Sequence, residues 1–263
     1  MKFYVRGGVG DFLQTLWFIS NNPKEEYILH THFKDAKNFF ASFNVNNTDP
    51  YIFESIEQHD MQVDEILKNH GDNSNKNIRE VPRAYYSSVS FDPKIQEEAD
   101  YIVKTFSSEK PIIGIHPFGS KFSFKVHSDF NLPVKFIPPD AVKELISNKN
   151  NYLLYGAKSE LEKYGIEESD NIKFVCFDSI LKSLATISHC SKFLGVDSCF
   201  KTLSANAKIP TFVMLGDFKD DIRDSMFIDQ YEKDGVMKVF RYTDFDQQRG
   251  EILNAMKTFI SEG

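Results

Sequence analysis

The sequence has no long apolar run. No stretch of about 18 or more apolar residues occurs, so no helix is expected to cross a membrane. The opening residues, Met1-Lys2-Phe3-Tyr4-Val5-Arg6, read as a short strand ending in a charge. They lack the apolar core of roughly 7–15 residues that a secretory leader needs. Cysteine is scarce: Cys176, Cys190 and Cys199 make an odd number with no CxxC spacing. That excludes a disulfide scaffold, carries no metal signal, and suits a reducing compartment, so a cytoplasmic setting is expected. A surplus of positive charge is also missing, with 31 basic against 38 acidic residues, a net charge of −7. Such a balance argues against a surface coated for nucleic acid, while leaving room for one local basic groove. What remains is ordinary for a globular chain: 263 residues, 41% of them hydrophobic, with a mean hydropathy of −0.38. Collagen, coiled coil and disorder do not fit that composition. The length allows one large domain or two of about 130 residues each.

Strand and helix patterns alternate along the chain. Strands are expected at 2–6, 27–31 and 50–53, with helices at 11–20, 35–43 and 61–69. The polar stretch from His70 to Arg79 reads as a surface loop. A helix is expected at 93–106, with Ile95, Ala99, Ile102, Val103 and Phe106 on one face. Beyond Pro111 the rhythm is cleaner. Strands are expected at 112–116, 152–155, 172–176, 193–196 and 210–215, with helices at 139–147, 159–165, 180–190 and 199–207. A last strand at 237–242 precedes an amphipathic helix at 247–260. Strands separated by helices of about ten residues imply a parallel sheet covered on both faces. The expected organisation is therefore two α/β domains in tandem. Ligands of such sheets sit beyond the carboxyl ends of the strands, so the loops there are where chemistry is sought.

Gly7-Gly8-Val9-Gly10-Asp11 follows the first strand and opens a helix. Glycine there permits a tight turn and close approach of another molecule. The run is not a dinucleotide fingerprint, because Leu13 stands where GxGxxG needs its third glycine. Asp11 is either an N-cap or a functional carboxylate. In the second half, the strand 112–116 runs into the small-residue loop His116-Pro117-Phe118-Gly119-Ser120. A long polar loop follows, carrying Lys121, Phe122, Phe124, Lys125, His127 and Phe130. It is either a solvated excursion or a flap over a ligand. Strand 193–196 ends in Asp197-Ser198, which caps the helix 199–207. That geometry is an ordinary cap and also an anion site, and Lys201 and Thr202 lie in the same first turn. The lone Asp-x-Asp, Asp244 to Asp246, lies outside any strand–loop–helix context and reads as a surface turn rather than a metal site.

Taken in order, these segments resemble the ADP-heptose–lipopolysaccharide heptosyltransferase family, glycosyltransferase family 9. Gly10 to Leu16 is similar to its N-terminal Gly-Asp motif, and His116 to Ser120 to its His-Pro-Gly-Ala-Ser loop. Lys135 to Asp140 is similar to its Lys-Arg-Trp-Pro-x-Glu segment, and Leu154 to Gly156 to the strand and glycine beyond. Gly195 to Ser198, followed by Leu203 to Gly216, resembles its Gly-x-Asp-Ser/Thr block. The resemblance implies a GT-B fold: two Rossmann-like domains with parallel sheets facing across a cleft. The expected division is residues 1–108 for the acceptor and 109–246 for the nucleotide-sugar, with a terminal helix, 247–263, packing back on the first domain.

The resemblance also implies an inverting transfer, without a metal or other cofactor, from a nucleotide-diphospho-sugar to an acceptor hydroxyl. Asp11 becomes the general base, beside the glycine turn of Gly8 and Gly10, and Lys135 a cation on the leaving diphosphate. Gly119, Ser120, Gly156, Asp197, Ser198, Lys201 and Thr202 surround the donor. The expected acceptor is a bacterial surface glycan. A phage-type variant would instead glycosylate hydroxymethylated bases in DNA, along a groove of Arg79, Arg83, Lys121, Lys125 and Lys135. Other classes are a nucleotide-sugar binding protein without catalysis, and an epimerase using His116 and His127. Two departures from the family pattern stand out: Cys199 replaces its glycine, and Thr202, preceded by Lys201, replaces its histidine.

Overall fold

The structure is a computed structural model that describes residues 2–6, 9–34, 36–41, 45–70, 76–77, 91–107, 109–119, 137–147, 149–176, 179–216 and 222–262. The chain forms two compact units, Met1–Asp92 and Pro93–Gly263.

The first unit contains β1 (Lys2–Arg6), α1 (Val9–Asn21), β2 (Glu26–Thr31), α2 (Ala36–Ala41), β3 (Thr48–Ile52), α3 (Ile56–His70) and β4 (Lys76–Asn77). Among the described residues its four strands are parallel in the order β3-β2-β1-β4. Residues Tyr27 to Thr31 of β2 are all buried, as expected of a strand covered on both faces. Phe12 and Leu13 of α1 pack beneath it with Phe39 and Phe40 of α2, and the Phe12 and Phe40 rings meet edge-on at 5.0 Å. Pro50 is tolerated in β3 because that strand is at the edge of the sheet. Two expectations change here. Lys76 and Asn77, read as loop, pair with Phe3 and Tyr4. Helix α3 begins at Ile56 rather than Met61, its start set by Ser55, whose Oγ accepts the Gln58 amide at 3.2 Å.

The second unit begins with α4 (Pro93–Lys104) and continues through β5 (Ile112–His116), α5 (Pro139–Leu145), β6 (Asn151–Tyr155), α6 (Lys158–Lys163) and β7 (Ile172–Val175). Next come α7 (Ile180–Ala185), a 3₁₀ turn (Thr186–His189), β8 (Lys192–Val196), α8 (Cys199–Asn206) and β9 (Thr211–Gly216). The chain closes with α9 (Ile222–Lys233), β10 (Met237–Tyr242) and α10 (Phe245–Ser261). The six strands among the described residues are parallel in the order β10-β9-β8-β5-β6-β7. Numbered within the unit this is 3-2-1-4-5-6 read from β7, the order of a dinucleotide-binding doubly wound sheet. Among the described residues no helix is long and apolar enough to cross a membrane.

The boundary between the units falls at Asp92, not Ser108, because α4 is fastened to the second unit. Glu98 pairs with Lys182 of α7, and Asp100 Oδ1 lies 2.8 Å from Nε2 of His189. Gln96 Nε2 donates to Asp100 at 2.9 Å and helps hold that carboxyl below its usual range.

The terminal helix also differs from expectation, since its apolar face belongs to the second unit. Ile252, Leu253, Met256 and Phe259 are buried, and the Phe259 ring packs on Phe212 of β9 at 5.6 Å. Arg249 bridges Asp140 and Glu144 of α5. At the helix end, Lys192 Nζ donates to the carbonyls of Phe259 (2.6 Å) and Ile260 (3.2 Å). A cation there satisfies carbonyls that have no intrahelical partner. At the start, the Asp244 carboxylate accepts the Gln247 amide at 3.1 Å, so the acidic turn read from the sequence is an N-cap. Replacing the fully buried Met256 by alanine is expected to cost about 2–5 kcal/mol in equilibrium urea unfolding. A loss below about 1 kcal/mol would mean that α10 is not packed into this core.

Candidate functional site

In an open parallel sheet, a crevice forms where neighbouring strands send their chains to opposite faces. In the second unit the chain runs outward from β5 to β6 and β7, then returns to β8 on the other side of β5. The switch point therefore lies beyond the carboxyl ends of β5 and β8. His116 ends β5 and is followed by Pro117, Phe118 and Gly119. Val196 ends β8, and Asp197-Ser198 lead into α8. The described end of the long excursion returns to this place, since the Ile137 amide donates to the Pro117 carbonyl at 2.8 Å.

One hydrogen bond ties the two strand ends together. His116 Nδ1 lies 3.0 Å from the Ser198 hydroxyl. The imidazole packs on the Phe200 ring at 4.4 Å and meets the edge of Phe118 at 6.3 Å. Burial pushes its pKa from 6.5 down to about 3, so the ring is neutral at ordinary pH. Ser198 is the N-cap of α8 in an extended conformation, yet its side chain makes no cap hydrogen bond. Its hydroxyl has been taken by His116. The Cys199 thiol instead lies against the amides of Cys199 and Phe200, and burial pushes it up to about 12. It stays a thiol, which is a weak acceptor and a poor nucleophile.

The remaining expected donor residues have distinct surroundings. The Lys201 ammonium is bound to Asp197 Oδ1 one helical turn away, with side chains only 7% and 14% exposed. Thr202 is buried inside the unit. Gly156, just past β6, serves packing: a Cβ there would come within 2.6 Å of the Phe118 ring. That ring in turn stands edge-on to Tyr164 at 4.8 Å. In the first unit, Gly10 and Asp11 lie in the first turn of α1, at the carboxyl end of β1. Gly8, Ser120, Lys135 and His127 lie outside the described residues, as do Arg79, Arg83, Lys121 and Lys125 of the basic groove. Among the described residues there is no group of three or more His, Cys, Asp or Glu able to hold a metal ion, and the three cysteines are free.

Sequence reasoning thus found Gly119, Asp197 and Ser198 at the switch point. It missed His116 as the residue linking the strand ends and Phe118 as the filler over Gly156. The signal for His116 was its place at a strand end. Its partner is 82 residues away, so no local pattern shows the bond.

No protein-family model matches the sequence, and no curated protein matches it. Solved structures do. The glycosyltransferase family 9 protein of Veillonella parvula DSM 2008 is similar at a TM-score of 0.57 and 13% identity, over 100% of this chain and 90% of that one. The fold is shared with glycosyltransferase family 9. The E. coli ADP-heptose lipopolysaccharide heptosyltransferase II aligns over 100% of both chains, with a TM-score of 0.56 and 15% identity. E. coli heptosyltransferase WaaC, solved with ADP-2-deoxy-2-fluoro heptose, aligns over 99% of both chains at 0.53 and 12% identity. The α/β architecture with parallel sheets expected from the sequence is the one observed.

The neutral His116 has a measurable consequence. Its folded pKa lies below the unfolded 6.5, so the unfolded chain binds the proton first. Its contribution to stability is complete above about pH 6.5 and falls as pH drops toward 3. The loss is up to roughly 1.4 kcal/mol per pH unit in that window. Wild type should therefore lose more stability between pH 6.5 and 4 than His116→Gln, in unfolding curves taken across pH. Equal slopes, or an imidazole that titrates near 6.5 by NMR, would contradict the assignment.

Proposed function

We propose that this chain is a GT-B glycosyltransferase that moves a sugar from a nucleotide-diphospho-sugar to an acceptor hydroxyl, with a bacterial surface glycan as acceptor. The observation that carries this reading is the switch point between β5 and β8, which stands where a doubly wound sheet holds a nucleotide. The shared fold supports it, because one of the similar structures was solved with an ADP-sugar analogue. In this reading the second unit holds the donor and the first unit the acceptor. The diphosphate lies against Gly119, Ser198 and the first-turn amides of α8, whose dipole favours an anion. The phosphates are strong acceptors and displace the weak Cys199 thiol from those amides.

The reaction is a single displacement with inversion. The acceptor oxygen bonds to the anomeric carbon as the carbon–oxygen bond to the diphosphate breaks, and the electron pair leaves with the diphosphate. Asp11, at the carboxyl end of β1, takes the acceptor's proton. Lys135 and the α8 amides meet the charge that grows on the leaving group, so the step requires no metal. His116 is a positioning residue in this scheme. It holds the Ser198 hydroxyl away from the cap and leaves the helix end open to the donor.

Thermal unfolding with nucleoside diphosphates and nucleotide-sugars, with and without EDTA, tests the donor site. A ligand at a hundredfold excess over its Kd adds about 2.7 kcal/mol of stability. One base family should shift Tm, with or without EDTA, and the absence of any shift would overturn the reading. Asp11→Ala should lower kcat by roughly 10²–10⁴-fold with donor affinity nearly unchanged. Retention of more than a tenth of the rate would remove Asp11 as the base.

A further inference from the structure

Polar side chains and an aromatic ring gather at the carboxyl edge of the first sheet. Strands β2 and β3 are neighbours there, and just past their ends the Phe53 amide donates to the Thr31 carbonyl at 3.1 Å. That bond brings together two short segments, His32 to Lys34 beyond β2 and Phe53-Glu54 beyond β3. His32 is exposed, Phe53 is half-buried, and their rings lie 6.0 Å apart. Lys34 Nζ pairs with Glu54 Oε1 at 2.6 Å, with side chains 74% and 63% exposed. The hydrogen bond from Lys34 holds the Glu54 carboxyl below its usual range.

The Phe53 ring is fixed by two imidazoles. Fully buried His30 of β2 meets it edge-on at 5.0 Å, and His59 of α3 at 4.9 Å. The two imidazoles stack on each other at 4.5 Å. Each is held in turn: His30 Nδ1 lies 2.5 Å from the Tyr4 hydroxyl, and His59 Nδ1 lies 2.9 Å from Asp60 Oδ1. Little ordering entropy is therefore lost when a ligand stacks on Phe53. An aromatic ring beside an ion pair is chemistry that suits a sugar. The C–H face of a pyranose is apolar, with partial positive charge that the negative face of an aromatic ring attracts. Its hydroxyls both donate and accept, so a carboxylate, an ammonium and an imidazole can satisfy them. Strand β2 also pairs with β1, and neighbouring strands lie about 4.8 Å apart. The ends of β2 and β3 are thus within the span of a disaccharide from the end of β1, where Asp11 lies in the first turn of α1.

Resting on the reading that the first unit takes the acceptor, we propose that His32, Lys34, Phe53 and Glu54 form a subsite for a pyranose ring of that acceptor. The ring stacks on Phe53, and His32, Lys34 and Glu54 bind its hydroxyls.

The test is an NMR titration of the full chain with the methyl pyranosides of glucose, galactose, mannose and N-acetylglucosamine. At least one should bind with a Kd of about 1–10 mM, the affinity that ligand efficiency allows a molecule of this size. It should shift the ring signals of Phe53 and His32 together. Phe53→Leu should weaken that glycoside by roughly 3- to 10-fold, whereas Phe53→Tyr should keep it. Lys34→Met and Glu54→Gln, at exposed positions, should each weaken it by roughly 3- to 10-fold as well. These two surface variants decide the matter should Phe53→Leu not fold. Shifts confined to other residues, equal affinity in every variant, or no binding of any of the four glycosides would overturn the proposal. The rise in Tm with nucleotides tests the underlying reading separately. With that rise present, a failure to bind glycosides overturns the subsite alone; with it absent, the reading falls whatever the glycosides do.

Discussion

The pairing of β5 with β8 is the contact on which the second unit depends, and two glycines make it possible. In register, Gly114 faces Phe193 and His116 faces Gly195. A Cβ on Gly114 would come within 2.7 Å of the Phe193 ring and 2.9 Å of the Cys190 sulfur. One on Gly195 would meet the His116 carbonyl at 3.1 Å. The missing side chains let large aromatic rings lie across the central strands, where Tyr155 and Phe193 pack at 5.7 Å. Because β5 and β8 are neighbours, the chain must cross over between them. The crossover opens the crevice, and the same register delivers His116 to Ser198.

Electrostatics at this crevice follows from burial rather than from an excess of one charge. Among the described residues, His116 is held neutral, Cys199 stays protonated, and the Asp197 carboxylate pairs with Lys201 one turn away. Leaving an ion unpaired in a low-dielectric site is costly, and each of these three groups is either neutral or partnered. In the proposed reading, the α8 amides hold the diphosphate.

The second unit is completed by helices that lie far apart in sequence. Helix α4 comes before the first strand of the unit and α10 after the last, and both are fastened by side chains whose partners the sequence does not announce. Glu98 with Lys182 and Arg249 with Asp140 and Glu144 are pairs at the rims of buried apolar contacts. Ion pairs this exposed contribute little alone. The buried face of α10, with Met256 and Phe259 against β9, carries the attachment.

The sequence by itself determined the alternation of strands and helices, the parallel sheets, and the loops at the carboxyl ends of the strands. Those are local properties: apolar periodicity, glycine and proline at turns, and Asp or Ser ahead of a helix are written in consecutive residues. It also placed Asp11, Gly119, Asp197 and Ser198 at strand ends, because the end of a strand is visible in the pattern. Tertiary structure decided the rest. The strand order, the two residues of β4, and the attachment of α4 and α10 depend on which apolar faces meet, and an amphipathic helix does not name its partner. The pairing of Lys201 with Asp197, the room that Gly156 leaves for Phe118, and the neutral tie of His116 came the same way. Each depends on burial or on a neighbour whose position only the folded chain sets, and both are properties of three-dimensional packing.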